Sequence, residues 1–242
     1  MTTPEIIAEL APGGELRAGI NLSNFLLVSS RGPAGEPQGV SPDMARAVAD
    51  RLGVPLRLVP FPNPGAVADA AGTGAWDIAL IGAEPQRAEK IAFTAAYAEI
   101  EANYLVPAGS PITSMAQVDQ PGVRIAVSAR AAYDLWLDRN IHAATLVRAE
   151  GLDAAFKLFV DEGLDVLAGL RPKLLTDGAT LPGSRILPGQ FMSVQQAIGT
   201  RRGNTAAEAF LRDFVEEAKA TGLVARLIAQ HGVQGLSVAP AA

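Results

Sequence analysis

Two passages of the chain echo each other, and together they leave few folds open. Gly74-Ala75-Trp76-Asp77-Ile78 leads through an almost uninterrupted apolar run to Gly82-Ala83-Glu84-Pro85-Gln86-Arg87, and Gly163-Leu164-Asp165-Val166 leads likewise to Gly169-Leu170-Arg171-Pro172. Each is a glycine, an aspartate, an apolar strand and then Gly-x-x-Pro. The strand starts upstream match too, Leu16-Arg17-Ala18-Gly19-Ile20-Asn21 against Val123-Arg124-Ile125-Ala126-Val127-Ser128. A run such as Ile78-Ala79-Leu80-Ile81 has no polar face, which suits a strand of a parallel sheet covered on both sides. A glycine at the strand's end lets backbone approach a ligand, and the proline opens the next turn or helix. In open α/β sheets the ligand sits beyond the carboxyl ends of the strands, so two such turns can face each other across a cleft. The same Gly-x-x-Pro pattern is also ordinary loop punctuation.

Around the echoes, strands and helices alternate. Hydrophobic periodicity predicts strands over 16–20, 56–59, 77–81, 123–127, 145–148 and 165–168, and helices over 66–71, 131–137 and 152–159. Residues 25–28 read as strand or loop before a Gly/Pro loop at 32–39. Ser41-Pro42-Asp43 offers an N-cap, a proline in the first helical position and an acid in the first turn, ahead of Met44, Ala47, Val48, Leu52 and a closing Gly53. Two helices, 205–220 and 223–230, end the chain, joined at Thr221-Gly222. Alternation of this kind implies βαβ units and an α/β fold.

Composition narrows the function. At about 150 residues per domain, 242 residues make roughly one and a half domains. The chain is 49% apolar, enough for a core. Its 20 Lys and Arg against 25 Asp and Glu give a net charge of −5, and the longest basic run is Arg201-Arg202, which is no nucleic-acid footprint. Without cysteine there are no disulfides, thiol nucleophiles or thiolate metal sites. His142 and His231 lack ligand spacing, and no Gly-x-Ser-x-Gly elbow, phosphate loop or complete Gly-x-Gly-x-x-Gly occurs, so no metal or cofactor is expected. Residues 1–10 carry no basic n-region and no apolar h-region. The expected location is periplasmic if a leader has been removed, and cytoplasmic if Met1 is the natural start.

Several blocks carry a resemblance. Gly19-Ile20 follows a short strand, Pro42-Asp43-Met44-Ala45 opens a helix ending Arg51-Leu52-Gly53-Val54, and Gly74-Ala75-Trp76-Asp77-Ile78-Ala79 precedes Arg87-Ala88-Glu89-Lys90-Ile91-Ala92-Phe93-Thr94-Ala95-Ala96-Tyr97. The chain resembles the family 3 extracellular solute-binding proteins, the receptors of polar amino acid ABC importers. The likeness continues through 122–127 to Thr221-Gly222-Leu223, and its most specific part is the block from Arg87 to Tyr97. It implies the type II periplasmic binding protein fold, two Rossmann-like lobes joined by two hinge strands near 104–107 and 195–199. Lobe 1 would take 1–106 with 198–242 and lobe 2 would take 107–197, with ligand closing the lobes about the hinge. It further implies a monomeric binding protein rather than an enzyme. Its partners would be a small carboxylate or amino-acid-like ligand and the membrane permease of an ABC importer.

In that family the arginine at the position of Arg87 pairs with the ligand's α-carboxylate, and a planar guanidinium suits bidentate capture. Backbone N–H groups around Gly82 and Ala83 would add donors. Three departures stand out. Leu80, Gly82 and Glu84 replace the usual hydroxyl residues before the arginine, and Ser128-Ala129-Arg130-Ala131-Ala132 replaces the usual Gly-Thr or Gly-Ser of the second lobe. Gly169-Leu170-Arg171-Pro172 stands where an aspartate usually takes the ligand's amino group. Arg130 and Arg171 would add cationic donors, implying either a carboxylate with a second anionic or polar group, or an amino acid held through Glu84, Glu99 or Glu101. Ser128 and Asn24 are further candidate contacts, and Phe25 is either a ligand platform or core. Arg87 has an alternative as a surface arginine pairing with Glu84 or Glu89. The scaffold also hosts dehydratases of small cyclic carboxylates, which need a carboxylate as general acid, and ligand-sensing modules.

Overall fold

The protein is described over residues 2–242 by a computed structural model. In chain order its elements are α1 (Pro4–Leu10), β1 (Leu16–Asn21), β2 (Ser30–Arg31), β3 (Pro37–Gln38), α2 (Val40–Leu52), β4 (Leu56–Phe61), α3 (Pro64–Asp69), β5 (Ile78–Gly82), α4 (Pro85–Ala88) and β6 (Ile91–Val106). A 3-10 turn at Met115–Gln117 leads into β7 (Arg124–Ser128), α5 (Ala132–Asn140), β8 (Thr145–Ala149), α6 (Leu152–Asp161), β9 (Val166–Leu170), α7 (Arg171–Gly178) and β10 (Arg185–Ile186). The chain ends with β11 (Met192–Arg201), α8 (Thr205–Ala220), α9 (Leu223–Gln230) and β12 (Ser237–Val238).

The chain divides into two compact units, one running up to Glu99 and again from Gln195 to Ala242, the other Ile100–Val194. Both changes of unit fall inside long strands, β6 and β11, whereas the resemblance put them after residues 106 and 197. In the first unit β1 lies parallel to β4 on one side and β5 on the other, and β11 runs antiparallel to β5. The second unit repeats this arrangement, with β7 parallel to β8 and β9, and the later half of β6 antiparallel to β9. β5 and β9 are buried at every position, as their unbroken apolar runs require. Helices help close each core: Val67 of α3, with Trp76 from the segment before β5, packs on Ala79, Ile81 and Ile91 in one unit, and Ala155, Phe159 and Leu174 pack on Ala126 and Leu167 in the other.

The echo in the sequence has a structural cause at the amino ends of the strands. Asp77 accepts from the Arg17 backbone N–H and Nε, each at 2.9 Å, and from Nη2 at 2.6 Å, while Arg17 Nη1 donates to the carbonyl of Gly74. In the second unit Asp165 accepts from the Arg124 N–H at 2.8 Å, the Arg124 Nε lies 3.7 Å from the same carboxylate, and Nη2 donates to the Gly163 carbonyl at 2.9 Å. Glycine, aspartate and arginine therefore form one clamp, used twice, tying the first strand of each unit to the third.

Two boundaries differ from expectation, and one open alternative is resolved. α2 begins at Val40 with Gly39 as N-cap, because the Ser41 hydroxyl is engaged with Tyr97 Oη at 2.9 Å and does not cap. Gly39 has φ 148°, and a Cβ there would lie 2.3 Å from the Leu27 carbonyl oxygen, so no other residue fits. α3 starts at Pro64, capped by Asn63 Oδ1 accepting from Ala66 N–H at 2.8 Å, two residues before the predicted start. Residues 25–28 form a turn, with Leu27 and Val28 N–H donating to the Asn24 carbonyl.

Candidate functional site

Parallel pairing sets where ligand-facing loops emerge. Ala18, Gly19 and Ile20 of β1 stand opposite Ile78, Ala79 and Leu80 of β5, so the loop after Asn21 and the turn after Gly82 leave the same carboxyl edge of the first unit. Four buried polar side chains gather on these two segments: Asn21, Asn24, Glu84 and Arg87. Asn21 Oδ1 accepts from the Ser23 N–H and hydroxyl, and Asn24 Oδ1 accepts from the Leu26 N–H at 3.1 Å, so both amides shape the loop that presents Phe25. Phe25 is 40% exposed, which removes it from the core. Asn21 had no signal beyond its place at a strand end.

Arg87 is the third residue of α4 and only 5% exposed, so it is not a solvated surface arginine. Its Nη1 donates to the Gly82 carbonyl at 2.7 Å, which fixes the guanidinium against the end of β5. The expected backbone donors need a correction. The Ala83 N–H donates to the Gln195 carbonyl at 2.7 Å and is committed to the β5–β11 ladder. Gly82, one position earlier and opposite Gln196, turns its N–H and C=O to the other side of the strand, where the carbonyl receives Arg87. Glu84, 4% exposed, is the N-cap of α4, yet its side chain makes no capping bond.

The second unit carries most of the remaining candidates at its own carboxyl edge, while Glu99 is the last residue of the first unit before the chain crosses. Ser128 ends β7, is buried, and hydrogen-bonds the hydroxyl of the fully buried Tyr133, whose ionisation burial suppresses. Arg130 has φ 60°, the only positive φ outside glycine among the described residues. An L-residue held there costs about 1–2 kcal/mol, and Asp134 offsets it by accepting the Arg130 N–H at 2.7 Å and Arg148 Nε at 2.8 Å. The Arg130 side chain itself is exposed. Arg171 opens α7 with its Nε 3.6 Å from Glu101 Oε2, both side chains largely exposed, so Glu101 serves this ion pair. Glu99 sits in β6 beside β12, its carbonyl accepting from the Ser237 hydroxyl. Tyr133 and Asp134 were not foreseen; the spacing of Asp134 four residues after Arg130 was their one visible signal.

Among the described residues no group of His, Cys, Asp or Glu is arranged to hold a metal ion, and no helix is long and apolar enough to cross a membrane.

The sequence pattern of the bacterial extracellular solute-binding proteins, family 3, matches residues 17–234. Among solved structures, a mutant of ArgBP from T. maritima is 21% identical, with 95% of this chain and 100% of that one covered at a TM-score of 0.75. The ancestral amino acid-binding protein AncCDT-1, described as a precursor of cyclohexadienyl dehydratase, is 20% identical over 93% of this chain and 97% of that one, with TM-score 0.75. A histidine kinase sensor domain with similarity to periplasmic binding proteins is 15% identical over 93% and 98%, with TM-score 0.76. At such identities the likeness shows the fold, which is the type II periplasmic binding protein fold. A search of curated proteins by sequence returns no match.

Proposed function

Because the chain belongs to the bacterial extracellular solute-binding proteins, family 3, we propose that it is the substrate-binding protein of an ABC importer and takes a small carboxylate or amino-acid-like solute whose carboxylate Arg87 holds. The observation that carries this is the burial of Arg87 at the ligand edge of the first unit, steered by the Gly82 carbonyl. A guanidinium withdrawn from water needs anionic or strongly dipolar partners, and its planar fork matches a carboxylate. Asn24, Phe25 and Gly82 supply the nearby surface on the first unit, and Ser128, Arg130 and Arg171 are the candidate contacts on the second. The partner that receives the solute is the importer's membrane permease, on the extracellular side where the family acts. The protein binds as a monomer and does no chemistry.

Native mass spectrometry of protein purified from cells names the retained solute. Calorimetry with that solute then gives at least about a hundredfold weaker binding for Arg87→Ala, about the 2.7 kcal/mol expected of a charge-assisted bidentate contact, with the fold intact by circular dichroism. Unchanged affinity sinks the assignment. The fold it shares with AncCDT-1 gives the second reading, a dehydratase; product formed on incubation with small cyclic carboxylic acids replaces the binding role with that one. A neighbouring gene for a kinase, in place of permease and ATPase genes, turns the receptor into a sensor.

A further inference from the structure

One bulky residue stands where only glycine is at ease. Arg130, on the turn between β7 and α5, has φ 60°. We infer that this left-handed turn serves to hold a second guanidinium for the solute, so that Arg130 is a specificity-determining residue and the preferred solutes carry a second anionic group; this rests on the reading of Arg87 as the carboxylate anchor.

Left-handed backbone is unfavourable for an L-residue and nearly free of strain for glycine. What holds the turn is the buried carboxylate of Asp134, which accepts the Arg130 N–H at 2.7 Å. Asp134 is itself fixed by Arg148 Nε at 2.8 Å, and Arg148 Nη2 donates to Asp138 at 2.6 Å. That brace grips only the backbone of residue 130, so glycine would accept it equally well. Nor does the turn supply a helix cap, because Ala131, the N-cap of α5, makes no side-chain capping bond. Strain kept at a charged residue in a ligand-facing loop marks a functional constraint. The neighbouring strand shows what the constraint concerns. β7 and β9 are parallel with Ala126 opposite Leu167, and Arg130 and Arg171 each follow that pair by four residues, so adjacent strands bring two arginines to one carboxyl edge. Glu101 lies 3.6 Å from Arg171 with both side chains largely exposed, a weak ion pair that an incoming anion exchanges readily. Guanidinium groups select carboxylate and similar planar or multidentate anions over neutral ends.

Calorimetry on matched solutes tests this. The pairs are succinate with butanoate, glutarate with pentanoate and adipate with hexanoate, each exchanging a terminal methyl for a carboxylate. The wild-type protein is expected to prefer the dicarboxylate of at least one pair by about tenfold or more. Arg130→Gly is expected to bring that pair to near equality, while raising the thermal midpoint of the solute-free protein by about 2 °C as the turn is relieved. Arg130→Lys, which keeps the charge but not the planar fork, is expected to retain a smaller preference. The absence of a dicarboxylate preference in every pair overturns the proposal, as does a preference that survives Arg130→Gly. A midpoint lowered by Arg130→Gly assigns the residue to stability and overturns it too. If the preference survives Arg130→Gly and Arg87→Ala abolishes binding, the carboxylate reading stands alone; if Arg87→Ala also leaves binding unchanged, both fall.

Discussion

Asp77 and Asp165 occupy the same place in the two halves of the echo, yet their environments differ enough to separate their worth. The Asp77 side chain is 5% exposed and accepts three hydrogen bonds from Arg17, while Asp165 is 42% exposed. Removing a buried charge partner leaves the other charge stranded, at roughly 3 kcal/mol or more, whereas an exposed pair is worth about 0–1 kcal/mol. Asp77→Ala is therefore expected to lower the urea midpoint markedly and Asp165→Ala hardly at all; equal shifts would show that burial is not what distinguishes them. A pattern of residue types reveals such a pair but not its burial, which depends on what packs above it. Arg87 and Glu84 were both legible as candidate contacts from the order of residues along the turn. Only the packed structure shows that both charges lie out of water. The bond between Ser128 and Tyr133 was equally hidden, since hydroxyls give no spacing signal.

Among the elements, those with a single dominant local cause were legible: the apolar strands β5 and β9, and the amphipathic helices α6, α8 and α9. α2 was placed within a turn, but its start was misread because Tyr97, far along the chain, claims the Ser41 hydroxyl that local rules assign to capping. Gly39→Ala is expected to destabilise the protein by about 2 kcal/mol or more through left-handed backbone and collision with the Leu27 carbonyl; a thermal midpoint equal to wild type would refute that. The 16-residue β6 was foreseen only near its end, because Ala95-Ala96-Tyr97-Ala98 shows no polar and apolar alternation and the alternating stretch begins only at Glu99. One loop carries a pH dependence. Asp119 accepts the N–H groups of His142, Ala143 and Ala144, and these bonds hold its carboxyl below the usual range. A depressed folded-state value means the clamp stabilises at and above the unfolded value near 4 and is lost as pH falls through the folded one. The protection of the 142–144 amides relative to their intrinsic exchange rates is thus expected to fall selectively in acid, and to be low already at neutral pH in Asp119→Asn. Exchange indifferent to both would remove the clamp.

Taken whole, the molecule was legible as two similar α/β units because the clamp and the buried strand recur in each. The chain's net charge of −5 opposes the approach of an anionic solute at long range, while the buried charges around Arg87 act only at contact. Added salt screens the repulsion, so the association rate of a carboxylate monoanion is expected to rise modestly with ionic strength and that of a zwitterion to stay nearly flat. A rate that falls with salt would mean that local arginines steer the encounter. The division of the chain has its own consequence during synthesis. The second unit is one uninterrupted stretch, Ile100–Val194, but the first needs Gln195–Ala242 to supply most of β11 and the last two helices. On the ribosome, the unit that begins first is therefore finished last. The half carrying Arg87 waits without its antiparallel strand until the other half has already emerged, which makes the order of birth the reverse of the order of completion.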